Sequence, residues 1–176
     1  VEPIGDRRLP REVTQGVEEA VRSAGLDPAH TLDRVALDRR AKSDEPTWKR
    51  GRSAVAAYFN EHASAETRAT AIVGLGPQLT LGAMLAARDA GLVIPRDCAV
   101  VGLLGDSSAL QSADPPVTIF DNPLKDVCAR AARRLLERAD GLDSAAEVLP
   151  IEPELTERGS VSDRSIAASS PGGAAS

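Results

Sequence analysis

Aromatic side chains are scarce in this sequence. Trp48, Tyr58, Phe59 and Phe120 are the only ones, so a core has to be assembled from Ala, Val, Leu and Ile. Cysteine is scarcer still: Cys98 falls in a predicted strand and Cys128 in a predicted helix. Two scattered thiols fit reduced, buried side chains and argue against a disulfide framework. No apolar run reaches the roughly 18 residues that a membrane-spanning helix needs, and no membrane association is expected. No signal-peptide pattern opens the sequence, and a cytoplasmic location is expected. Positive charge is not in excess either. The formal net charge is −5, which argues against a free-standing nucleic-acid binder, since that would present a basic face to phosphates.

Catalytic signatures are also missing. The two histidines, His30 and His62, are far apart in sequence. Metal ligands do not cluster, and neither a G-x-S-x-G elbow nor an H-E-x-x-H pair occurs. Gly74-Leu75-Gly76 follows a predicted strand, as a dinucleotide fingerprint does, but Leu79 occupies the place of its third glycine. Pro77 removes a backbone N–H that a phosphate would use. The expectation is therefore no enzyme, no metal and no cofactor.

What is present is a run of alternating elements. Ala71 to Leu75 and Cys98 to Leu104 are short apolar runs bounded by Gly and Pro, as strands buried on both faces are. Between them Leu81, Met84, Leu85 and Arg88 fall at helical spacing, Gly91 stands where a left-handed residue ends a helix, and Pro95 bars its continuation. Pro115 to Phe120 supplies a third strand. This is a βαβ unit with one more strand, the building block of a parallel, doubly wound α/β domain. Amphipathic helices are predicted over 9–24, 48–62 and 124–139, and weak or short strands over 1–6, 32–37, 147–151 and 154–156. The last predicted helix has Val127, Ala131, Leu135 and Leu136 on one stripe, with Arg130, Arg133, Arg134 and Arg138 as a solvated face. From Gly159 onward Ser, Ala, Gly and Pro dominate, and a disordered tail is expected over 159–176.

In open α/β sheets, ligands sit beyond the carboxyl ends of the strands. Three loops converge there: Gly76-Pro77-Gln78, Leu104 to Ser108, and Asp121-Asn122. Asp106 can accept a hydrogen bond from a ligand hydroxyl, and Asn122 can both donate and accept. A turn or cap role for Asp106 and a helix-capping role for Asn122 stand as even alternatives.

The stretch "TAIVGLGPQLTLGAMLAARDAGLVIPRDCAVVG", followed by "DPPVTIFDNPL" and "LPIEPELTERGSVS", resembles the effector-binding domain of LacI/GalR bacterial transcription regulators. The likeness covers roughly residues 1 to 162. It implies a periplasmic-binding-protein-like lobe over 1–120, with a crossover helix and closing strands over 121–158 that lead to a first lobe. It also implies a homodimer, a sugar- or nucleoside-like effector, and DNA contacts only through a helix-turn-helix outside this chain. The effector-contacting candidates are Arg11, Gly76, Gln78, Asp106 and Asn122; the arginine expected near Val13 is missing, and Arg11 is close to that place. Several depart from the family pattern. Gly76-Pro77 stands where Asn-Asp is usual, Leu103-Leu104-Gly105-Asp106 where an aspartate pair directly follows the strand, and Asn122 where glutamine is common. Either the effector is less polar than a sugar, or effector binding has been lost. A solute-binding protein of a transport system, which shares the two-lobed fold, is the alternative. A nucleotide-linked enzyme and a ligandless remnant rank below both.

Overall fold

The computed structural model describes residues 8–35, 37, 44–64, 66–105, 107–141 and 152–162. Its elements are α1 (Arg8–Ser23), α2 (Pro28–Thr31), α3 (Thr47–Glu61), β1 (Ala71–Leu75), α4 (Pro77–Asp89), β2 (Ala99–Leu103), α5 (Ser108–Gln111), β3 (Thr118–Asp121), α6 (Leu124–Ala139) and β4 (Glu154–Thr156). The sheet runs β1-β2-β3-β4, with the first three strands parallel and β4 antiparallel to β3. It is thus a mostly parallel open α/β sheet. The strands expected over 1–6 and 147–151 lie outside the described residues.

The core is built where the sequence is smallest. Gly74 of β1 pairs with Gly102 of β2, and both face the first turn of α4. A Cβ on Gly74 would lie 2.7 Å from Thr80 Cα, so only glycine lets the helix seat against the strand. Thr80 is fully buried, and its hydroxyl donates to the Gly76 carbonyl at 2.9 Å. On the far side of α4, Gly82 meets the backbone of α3: a Cβ there would collide with the Trp48 carbonyl oxygen and lie 2.8 Å from Arg52 N. Around these close approaches Val55 and Phe59 of α3, Met84 and Ala87 of α4, Val100 and Ile119 form one buried cluster. Arg52 donates to Asp89 at 2.6 Å across the two helices.

Successive strand residues face opposite sides of a sheet. Ile72, Gly74, Val100, Gly102 and Ile119 therefore share the α4 side, while Val73, Phe120 and Leu155 lie on the other, where they are exposed. Among the described elements, α4 is the only helix packed on the strands.

Three expectations change. Residues 32–35 and 37 are irregular rather than a strand, although their apolar alternation is present. Cys98 is buried as expected, whereas Cys128 is exposed on α6. The tail does not begin at Gly159, because Ser160 is fully buried. Its hydroxyl accepts from Thr118 N at 2.8 Å and donates to the Val100 carbonyl, and its own carbonyl accepts from Val100 N at 2.9 Å. Arg158 adds backbone bonds to the Thr118 hydroxyl and a guanidinium bond to the Val117 carbonyl at 2.9 Å. This segment ties β2 to β3 at their amino ends. Residues 163–176 lie outside the described residues.

Candidate functional site at the strand ends

The first two of the loops beyond the carboxyl ends of the parallel strands are each tied by a backbone hydrogen bond to the neighbouring strand. Gly76 N donates to the Leu103 carbonyl at 2.8 Å, linking the first loop to β2, and Leu104 N donates to the Phe120 carbonyl at 3.2 Å, linking the second to β3. Gly76 has φ 92°, a conformation that glycine adopts freely, and it hands the chain into α4 with Pro77 as the first helical residue. Leu104, at φ 65°, and Gly105, at φ 119°, turn the chain sharply after β2. A leucine in the left-handed region is strained by about 1–3 kcal/mol, and such strain concentrates at binding sites. After β3 the Asn122 carbonyl accepts from Leu124 N at 2.7 Å, so Asn122 marks the joint between the sheet and α6.

The residues singled out in sequence therefore part company. Gly76, Gln78 and Asn122 lie at this end of the sheet, with Gln78 and Asn122 exposed. Asp106 lies outside the described residues. Arg11 is exposed on α1, a helix whose only element contact among those described is with α2, and nothing draws it to the other three. Asp121, placed in a strand-end loop by the sequence but not among its candidate contacts, stands at this end of the sheet as well. Asp121, the last residue of β3, has its Oδ1 enclosed with no hydrogen-bond partner. A lone aspartate ahead of Asn-Pro reads as a turn residue, and no sequence signal marks it as enclosed.

Two other features lie elsewhere. A cavity of about 490 Å³ runs along the outer edge of β1, between its residues Ala71 to Leu75 and residues 31–35, and is floored by Val55 and Phe59. Among the described residues β1 pairs on one side only, and an unpaired strand edge is first a seat for another extended chain, so this cavity is set apart from the strand-end site. Tyr58 lines it and donates to Asp33 at 2.8 Å. Burial, reinforced by that carboxylate, pushes the Tyr58 hydroxyl up to about 12. Asp97 is drawn down to about 2 by hydrogen bonds from the Arg96 guanidinium and from Val93 N. Shifted groups often mark active sites. Here they stabilise a turn and a helix face. Among the described residues no cluster of three or more potential metal ligands occurs, and no helix is long and apolar enough to cross a membrane.

Comparison with known proteins places the fold in a family. The profile of the family described as periplasmic binding protein-like domain matches residues 2–161. The chain is 38% identical over 103 residues to the HTH-type transcriptional regulator MalR of Streptomyces coelicolor, covering 58% of this chain and 28% of that protein. Among solved structures it is similar to a regulatory protein of the LacI family from Chloroflexus aggregans. The TM-score is 0.71 at 28% identity, over 91% of this chain and 53% of that one. It is also similar to the transcriptional regulator CelR in complex with cellobiose, with TM-score 0.66 at 26% identity, over 84% and 41% of the two chains. The chain thus matches between 28% and 53% of the length of these relatives. It belongs to the periplasmic binding protein-like domain family, in the form found in LacI-type transcriptional regulators.

Proposed function

We propose that this chain is the effector-binding and dimerisation portion of a LacI/GalR-type transcriptional regulator, working in the cytoplasm as a homodimer. A small ligand sits against the loops at the carboxyl ends of β1, β2 and β3, where Gln78 and Asn122 offer amide groups and Gly76 lets the backbone approach. The observation that supports this most is the parallel order of β1, β2 and β3, which brings their three following loops to one end of the sheet, in a chain of regulator kinship. Asn122 gives the ligand leverage, because it joins the sheet to α6. Contacts that favour one orientation of α6 bias a two-state equilibrium, and that bias is read out by a helix-turn-helix outside this chain. The role is sensing, not catalysis. Because CelR is solved with cellobiose, glucosides are the first ligands to try.

The test is DNA binding by the full-length protein on its own upstream sequence, followed by fluorescence anisotropy with and without cellobiose or maltose. Dimeric binding whose affinity changes about tenfold or more with one sugar is expected, a coupling of about 1.4 kcal/mol. A full-length protein that binds no DNA would overturn the regulator reading.

A further inference from the structure

We propose that Asp121 contacts the effector and selects an uncharged, hydroxyl-bearing ligand over an anionic one. This rests on the effector-binding reading above. Asp121 ends β3 immediately before Asn122, and its Oδ1 is enclosed without a hydrogen-bond partner. In the antiparallel register it stands opposite Glu154 of β4. An enclosed acceptor lacking a donor is destabilising, and so are like charges directly opposite on neighbouring strands. Both penalties fall on one residue at the ligand end of the sheet. A carboxylate only accepts hydrogen bonds, so what relieves it must donate. Once the carboxylate turns out of its enclosure, a sugar hydroxyl does this while the Asn122 and Gln78 amides meet its neighbours.

The same surroundings disfavour an anion. None of the three loops contains Lys or Arg. The start of α4, which would otherwise attract a phosphate, has fewer free N–H groups than an ordinary helix start. Pro77 has no N–H, Gly76 N is bonded to the Leu103 carbonyl, and Thr80 N is bonded to the Gly76 carbonyl at 3.0 Å. A phosphorylated sugar would meet the Asp121 carboxylate with no cation in these loops to offset it.

The experiment compares full-length wild type, Asp121→Asn and Asn122→Ala by thermal unfolding and calorimetric titration. The probes are cellobiose, maltose, glucose and glucose 6-phosphate, and far-ultraviolet circular dichroism confirms each fold. Asp121→Asn is expected to melt about 2–4 °C above wild type without ligand. It is also expected to bind the preferred neutral sugar about tenfold more weakly, while glucose 6-phosphate does not bind wild type. If Asn122→Ala weakens the sugar but Asp121→Asn does not, or if Asp121→Asn melts below wild type with unchanged affinity, Asp121 is a structural group and the proposal falls alone. Tight binding of glucose 6-phosphate also overturns it. If no neutral sugar binds wild type, the assignment of a sugar effector falls, and the Asp121 proposal goes with it.

Discussion

α4 and α6 both follow a strand of the same sheet, yet their surroundings are opposite. α4 buries Leu79, Thr80, Gly82, Ala83, Met84, Ala86 and Ala87, whereas no residue of α6 is buried. Leu135 and Leu136 on α6 remain 70% and 65% exposed. The cause is visible in composition. α4 is small or apolar around nearly its whole circumference, so it lies between the sheet on one side and α3 on the other. α6 has one apolar stripe backed by arginines, which suits a helix with a partner on one side only. The two helices teach that sidedness, more than hydrophobic content, decides where a helix ends up. α4 completes the lobe, and α6 leaves it with an apolar face that no described element covers. Asn122-Pro123 is the hinge point between these two regimes.

The comparison breaks first at the glycines. Gly82→Val drives a side chain into the α3 backbone and is expected to destabilise the chain by about 3 kcal/mol or more, measured by urea unfolding. Ser160→Ala leaves Thr118 N and the Val100 carbonyl without their side-chain partner. It is expected to cost about 2 kcal/mol, which would establish that the lobe is closed from its carboxyl end as well as by α4.

Smaller effects follow from pH. The folded Tyr58 lies near 12, above its ordinary value of 10.0. The neutral hydroxyl therefore supports the fold fully below about pH 10, and that support is lost as pH rises toward 12. Tyr58→Phe should flatten the alkaline arm of a stability–pH curve. Asp97 runs the other way: lowered from 3.8 to about 2, it contributes above its ordinary value and loses that contribution as pH falls toward 2. Asp97→Asn should flatten the acid arm.

The smallest effect on stability belongs to α6. Leu135→Glu with Leu136→Glu is expected to change unfolding free energy by no more than about 0.5 kcal/mol while reducing self-association of the isolated chain in sedimentation. A loss as large as that of Gly82→Val would mean that α6 is part of the core, as α4 is.

Much of the central unit is legible in sequence, because its signals are local. Apolar runs between Gly and Pro become β1 and β2, and the helix between them starts at Pro77 and stops before Gly91. Ser160 is illegible for the opposite reason. It sits in a Ser- and Gly-rich stretch, and its burial depends on hydrogen bonds to Thr118 and Val100, 42 and 60 residues away in sequence. Residues 32–37 have strand-like alternation, yet those described join no ladder, since pairing is a tertiary property. The site divides in the same way. Loops after strands are found from the order of elements, which brings Gly76, Gln78 and Asn122 to one end of the sheet. Whether a carboxylate such as Asp121 has a partner depends on packing that no local pattern encodes.

The most direct measurement is a calorimetric titration of the full-length protein with cellobiose and maltose, wild type against Asn122→Ala. One sugar is expected to bind wild type and Asn122→Ala to weaken it by about tenfold or more, with the melting temperature of the unliganded protein little changed. Equal affinity in the two proteins would contradict it, because the ligand would then bind away from the strand ends of this sheet.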